Sequence, residues 1–197
     1  LSRAAEDPNV LAIKQTLYRV NEPSRVIDNL ERAARNGKQV TVLVELKARF
    51  DEEKNITWAR RLLRAGATVL YGVAGLKTHS KICLVVRREV DGIRRYVHYG
   101  TGNYNEKTAA LYTDLSLFTG QEDLSADASN FFNVITGFSN PVHFSKIEMA
   151  PYTLRRKLQR LIFRESMKSR REQPGLILAK MNSLVDTQMI EALYRAS

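Results

Sequence analysis

The groups in this chain best suited to handling a phosphoryl centre sit in four short patterns. His79 and Lys81 stand two residues apart at the head of the apolar run "KICLVV". Alternate residues on a strand project from one face, so this spacing sets an imidazole beside an ammonium. An imidazole nitrogen can attack phosphorus and hold the group covalently, while a fixed cation offsets charge on the non-bridging oxygens. One strand-turn-strand later comes Gly100-Thr101-Gly102-Asn103, where two glycines let backbone approach an anion and Thr and Asn add neutral donors. Arg19 and Arg49 follow the apolar stretches "VLAIKQTLY" and "QVTVLVEL". Strand C-terminal ends collect ligands in open α/β sheets, and a guanidinium fork grips two phosphate oxygens at once, which a lone ammonium does not.

Such groups need a sheet to hold them. Residues 10–18 read as a buried strand. Pro23 opens a helix over 24–35, with Val26, Ile27, Leu30, Ala33 and Ala34 on one face and Asn36-Gly37 as its stop. A continuous apolar strand over 39–46, a helix over 55–65 ending at Gly66, and a strand in "TVLYGV" come next. This alternation argues an α/β sheet with parallel neighbours and right-handed crossovers. "KICLVVRRE", "IRRYVHYG" and "LYTDLSLFT" then read as strands on short connections, with Asp91-Gly92 as a hairpin turn. A helix over 126–135, a strand in "FSKIEMAP" and a long helix over 153–172 are expected beyond them. Thr153 is the candidate cap of that last helix and Pro174-Gly175 its stop.

The tail "LILAKMNSLVDTQMIEALYRAS" repeats the plan of "LAIKQTLYRVNEPSRVIDNLERAA": an apolar strand with an embedded Lys, a polar turn, then an amphipathic helix. Lys14 and Lys180 hold comparable places. A second βα unit starting at Leu176 is therefore expected, as the start of a duplicated domain.

With 197 residues and 44% apolar content, the chain can bury the core of one domain or a little more. It has no apolar run of the ~18 residues a spanning helix needs. The opening "LSRAAEDPNV" lacks the basic and apolar regions of a signal peptide, and the absent initiator Met suggests a piece of a longer chain. The single cysteine, Cys83, rules out an internal disulfide, fits a reducing cytosol and reads as a packed, inert thiol. A net charge of +10 favours an anionic partner: nucleic acid, an acidic membrane surface or a phosphate-rich substrate. The helix over 153–172 carries eight basic residues against Glu165 and Glu172, which is six of that net +10. It reads either as a solvated face or as a contact for a polyanion or a neighbouring domain.

His-x-Lys followed by Gly-[Ser/Thr]-x-Asn resembles the half-site signature of the phospholipase D superfamily, in which two such halves share one phosphoryl site. The usual pattern places Asp seven residues after the His, and Val86 stands there in this chain. That departure speaks against a standard phosphodiesterase of the group.

Longer blocks narrow the resemblance. "DPNVLAIKQTLYR", "GKQVTVLVELKARFDEEKNITWARRL", "GLKTHSKICLVVRRE", "RRYVHYGTGNYNEKTAALYTDLSLFT" and "LAKMNSLVD" look like the C-terminal catalytic region of the bacterial polyphosphate kinase family, with its paired phospholipase D-like domains. The resemblance implies an α/β/α sandwich with a mixed, mainly parallel central sheet. It divides the chain into a first catalytic domain over 1–174 and a truncated second one from 175 to 197.

It further implies a phosphohistidine at His79, phosphate-holding roles for Lys81 and Asn103, and an ATP-associated tyrosine at Tyr112. Arg19 and Arg49 would hold phosphate oxygens around a Mg²⁺ ion. The implied activity is reversible transfer of the ATP γ-phosphate to inorganic polyphosphate. The implied setting is cytoplasmic, with peripheral contact at the inner face of the membrane, a homo-oligomeric full-length protein and no specific nucleic acid. A half-site alone is expected to fold without being active.

Two rivals stand beside that reading: a phosphodiesterase or nuclease of the same superfamily, and a non-catalytic polyanion-binding module. Elsewhere, His98 reads as a packed strand residue and His143 as a loop residue without partners. Asp51, Glu52 and Glu53 read as an acidic helix start, and Trp58 and Tyr71 as core or partly buried aromatics.

Overall fold

The apolar run "VLAIKQTL" folds as β1 (Val10–Leu17) and lies inside a six-stranded sheet. In this computed structural model the described residues are 1–197 except 19, 21–22, 46–51, 74, 138–142, 172 and 182, with only the backbone of 52–54. Two compact units are present, 1–146 and 147–197. After the short helix α1 (Ser2–Glu6) and β1, the first unit continues through α2 (Arg25–Arg35), β2 (Gln39–Val44), α3 (Glu52–Arg64) and β3 (Thr68–Tyr71). β4 (Lys81–Glu89), β5 (Gly92–Gly100), α4 (Glu106–Ala109), β6 (Ser116–Thr119) and α5 (Glu122–Ile135) complete it.

The strand order is β3-β2-β1-β4-β5-β6. The β1–β2 and β2–β3 pairs are parallel, whereas β1–β4, β4–β5 and β5–β6 are antiparallel. The sheet is mixed, as expected, but antiparallel pairs outnumber parallel ones, so "mainly parallel" is corrected. The cause is local. Helical crossovers permit parallel neighbours only through β3, and after β4 the short turn reverses the chain. That turn sits at Val90 and Asp91, because Glu89 already pairs with Gly92.

Each crossover helix forms where the sequence supplies a cap, an apolar stripe and a stop. Ser24 caps α2 by accepting from the Ile27 N–H, Ile27, Leu30 and Ala33 are buried, and Gly37 takes a φ of 78° just past the end. Trp58, Ala59 and Leu62 bury the inner face of α3, while Tyr71 at the end of β3 is half exposed. These side chains share one core with Ile13, Leu17, Val40, Val42, Val44 and Cys83.

The opposite sheet face carries Leu84 and Val97, and there α5 packs with Ala128, Phe131 and Phe132 buried. The Tyr99 hydroxyl, on that same face, donates to Leu124 O at 2.6 Å and ties α5 down. Helices thus cover both faces, giving an α/β/α sandwich. Phe132 is fully buried, and truncating it to Ala is expected to cost about 3–5 kcal/mol.

Three expected boundaries move. Helix α5 starts at Glu122, where Glu122 and Asp123 favour the positive helix end. "LYTDLSLFT" yields only the four-residue β6, preceded by α4, whose cap Asn105 accepts from the Thr108 N–H. "FSKIEMAP" forms no strand. Its backbone is held instead by Asp127 of α5, which accepts from Ser145 N at 2.9 Å and Lys146 N at 2.7 Å.

The second unit contains α6 (Leu154–Ser169) and α7 (Thr187–Ala196). Thr153 makes no side-chain cap; its hydroxyl accepts from Met149 N at 3.1 Å instead. Asp186 caps α7 through Met189 N at 3.0 Å and pairs with Arg155 of α6 at 2.5 Å. The expected strand at Leu176 is absent, with Leu176 and Leu178 exposed, because an apolar run becomes a strand only against a neighbour to pair with. No described helix is long and apolar enough to cross a membrane.

Candidate functional site

Strand ends of β1 and β2 and the start of β4 share one edge of the sheet, and two polar clips fix the segment that carries His79 there. Thr16 of β1 donates to Ser80 O at 2.8 Å and accepts from Ile82 N at 3.0 Å, so one hydroxyl binds the backbone on both sides of Lys81. Glu45, just after β2, accepts from Thr78 N at 2.8 Å. The ends of β1 and β2 are themselves joined by the buried Asn55 amide of α3, which donates to Tyr18 O at 3.3 Å and Glu45 O at 3.1 Å. His79 is therefore held through the residues on either side of it.

Lys81 is 4% exposed, yet its ammonium turns back toward the exposed His79. Nζ lies 2.9 Å from Nδ1, 3.0 Å from Nε2 and 2.6 Å from the His79 carbonyl. An ammonium can only donate, so a ring nitrogen bonded to it is the acceptor, and its lone pair is held by Lys81 in this arrangement. Attack on phosphorus needs a ring nitrogen with its lone pair free, so the ammonium must turn to the phosphoryl oxygens as that group arrives. The Tyr18 ring stands edge-on to His79 at 5.0 Å, and the Lys77 and Lys81 ammoniums each lie 5.5 Å from its centroid. His79 precedes the first ladder residue of β4, so the pair meets because Lys81 folds back, not through strand alternation.

Lys81 pairs directly with Gly100, which brings the Gly100–Asn103 loop to the same edge. Within the loop the donors are assigned differently from the expectation. The Thr101 hydroxyl gives its proton to Asp114 Oδ1 at 2.9 Å and accepts from Leu115 N at 2.9 Å, so it is occupied. Gly102 makes room for that carboxylate, since a Cβ there would overlap Asp114 Oδ2. Asn103 differs: its buried Oδ1 has no hydrogen-bond partner. Half a turn of the amide would offer its NH₂ there, and either orientation leaves a polar end for a ligand or water.

Tyr112 lies between α4 and β6 and is 62% exposed. Arg19 and Arg49 fall outside the described residues, as does Asp51, while Glu52 and Glu53 open α3 with side chains outside the description. Val86 lies in β4 opposite Ala12 and Arg95, so the position seven residues after His79 carries no carboxylate. Among the described residues, no group of three or more His, Cys, Asp or Glu could hold a metal.

The remaining titratable groups are structural. Burial pushes the Cys83 thiol up to about 12, so it stays protonated and inert. His98 lies in β5 with Nδ1 2.8 Å from the Tyr104 hydroxyl, and burial pushes its imidazole below the usual range. His143 is exposed. Thr16, Glu45, Asn55 and Asp114 were missed by sequence reasoning. The only available signals were polar residues at apolar strand ends and a carboxylate just ahead of a strand.

Residues 1–141 match the family model for polyphosphate kinase C-terminal domain 1, and residues 147–197 match that for polyphosphate kinase C-terminal domain 2. The chain belongs to the polyphosphate kinase family. The polyphosphate kinase of Thermosynechococcus vestitus is 57% identical over all 197 residues, which make up 27% of its own length. That of Rhodopirellula baltica is 55% identical over the whole chain and 23% of its own length. The crystal structure of polyphosphate kinase from Porphyromonas gingivalis superposes with a TM-score of 0.87 at 40% identity, covering all of this chain and 33% of that one. This chain thus spans about a quarter of the length of the curated polyphosphate kinases it matches.

Proposed function

We propose that this chain carries one half of a phosphohistidine site that moves phosphoryl groups reversibly between ATP and inorganic polyphosphate. The observation that carries the reading is the contact of 2.9 Å between Lys81 Nζ and a His79 ring nitrogen, in a segment pinned by Thr16 and Glu45. In-line attack of a His79 nitrogen on the γ-phosphorus forms an N–P bond as the bond to the β,γ-bridging oxygen breaks, and ADP leaves with that electron pair. A terminal oxygen of polyphosphate then attacks the same phosphorus, and the N–P electron pair returns to imidazole. Lys81 and Asn103 position the transferred group and offset its charge, because phosphoryl transfer is mostly positioning and electrostatics. Arg19 and Arg49 serve its oxygens, and Tyr112 the nucleotide.

Mg²⁺ belongs to this chemistry as part of the nucleotide complex. Lys77 and Lys81 are cations, and Glu45 already accepts the Thr78 N–H, so the described residues near His79 do not build a metal site. The metal would arrive on phosphate oxygens, held with them by the arginines. In this reading the chain holds one phospholipase D-like half and the opening of a second. The full-length protein is then a cytoplasmic homo-oligomer, with peripheral contact at the inner membrane face and no specific nucleic acid partner.

The rival hydrolase, in which water takes the phosphohistidine, is disfavoured by Val86 at the position where an Asp is usual. The test uses the full-length protein with Mg²⁺ and γ-labelled ATP. Label should pass into long-chain polyphosphate, ADP plus polyphosphate should return ATP, and His79→Ala should abolish both. Free phosphate released only from a diester substrate would establish the hydrolase. Salt-sensitive polyanion binding without turnover would leave a binding module.

A further inference from the structure

Helix α6 carries a row of arginines to which the reading above gives no role. Arg156, Arg160 and Arg164 recur every fourth residue and lie opposite the buried Ile162. Arg155, Lys157 and Lys168 are committed to Asp186 at 2.5 Å, Glu148 at 3.5 Å and Glu165 at 2.9 Å. Arg156 and Arg160 have no described carboxylate within ion-pair distance, although the charge of Arg160 reaches Glu148, and Arg164 pairs with Glu165 at 3.4 Å.

Like charges four residues apart destabilise a helix. On α2, by contrast, Arg32 is paired with Glu6 at 2.8 Å and Arg35 with Glu31 at 2.6 Å. Along the row only Arg164 has an ion-pair partner among the described residues, so most of its positive charge is left for an external polyanion to complement.

The geometry selects a kind of polyanion. Three guanidiniums advance about 6 Å per step along the axis, a line that suits an extended chain better than a compact nucleotide. Guanidinium forks suit tetrahedral phosphate oxygens. A membrane-surface helix would turn its apolar face outward, but α6 packs on α7 and buries Ile162. Single-stranded nucleic acid needs several stacking platforms, and Phe163 is the one exposed aromatic ring on α6.

We propose that the Arg156–Arg160–Arg164 row is a docking track for linear inorganic polyphosphate. Its choice of polyphosphate rests on the function proposed above. The test measures binding of labelled long-chain polyphosphate to the full-length protein at several salt concentrations. The variant with Arg156, Arg160 and Arg164 changed to Gln is compared with a charge-matched control, Arg3→Gln on α1 with Arg60→Gln and Arg64→Gln on α3, all three exposed. The row variant should bind about tenfold more weakly, with a salt slope shallower by about two to three. The control should keep wild-type affinity, and phosphorylation of His79 by ATP should be unchanged in both. Unchanged polyphosphate affinity in the row variant would overturn the proposal. So would an equal or larger loss toward single-stranded RNA or anionic phosphatidylserine vesicles. Because binding is read without turnover, a failure of the His79 reading shows separately, as absent phosphorylation in the wild type.

Discussion

Lys81 is buried and His79 is exposed, yet their side chains meet at 2.9 Å. The lysine is thus a fixed donor at the floor of the site, and the histidine reaches solvent above it. Replacing Lys81 by Met keeps much of the volume and removes the charge. In the full-length protein, Lys81→Met should slow phosphorylation of His79 by about 10²–10³-fold, the usual loss for one preorganised electrostatic donor. Rapid-quench labelling measures that rate. A rate within threefold of wild type would remove Lys81 from the mechanism.

Thr16 binds both Ser80 O and Ile82 N. Thr16→Val keeps the shape but strands two backbone groups, at a cost of about 1–3 kcal/mol. Urea titration should show the lower midpoint. His79 phosphorylation should fall further than the stability loss explains, since the loop that carries the histidine is released.

Gly102 and Asp114 form a second lock. Gly102→Ala should destabilise the protein by about 1–3 kcal/mol, because its Cβ overlaps the Asp114 carboxylate. Gly102→Ala with Asp114→Ala should recover part of that loss, although Thr101 then lacks its acceptor. A strictly additive double-mutant cycle would contradict the overlap.

How much of this was legible follows from the reach of each interaction. The strands and helices around β1–β3 could be read because their apolar periods and their Ser24 and Gly37 signals are local. His79 and Lys81 were legible because their pairing spans only two positions. Thr16, Glu45 and Asp114 act on partners 66, 33 and 13 residues away, separations that only the sheet order brings together. Leu176 failed for a related reason: its apolar run matches that of β1, but it lacks the neighbouring strands that make β1 a strand.

Acid stability should report the clamp between the start of β1 and β4. Arg87 binds Asp7 at 2.8 Å and also Glu89, holding both carboxyls below the usual carboxylate range. A depressed folded value contributes stability above the unfolded value, and that contribution is lost as pH falls through the folded one. His98 adds a higher window. Its folded value is depressed by burial, so stability should decline as pH falls from near 6.5 toward that value. Thermal melts from pH 7 to pH 3 should show both declines. Asp7→Asn should flatten the acid one, and His98→Phe the one nearer neutrality. Unaltered profiles would contradict these assignments.

The most direct test of the central claim is to locate the covalent phosphate. The full-length protein, incubated with Mg²⁺ and γ-labelled ATP and quenched in alkali, should carry an acid-labile, alkali-stable phosphate. Peptide mapping should place it on His79, and addition of ADP should discharge it as ATP. Label on another residue, or none on His79 while polyphosphate is still formed, would contradict His79 as the phosphoryl carrier.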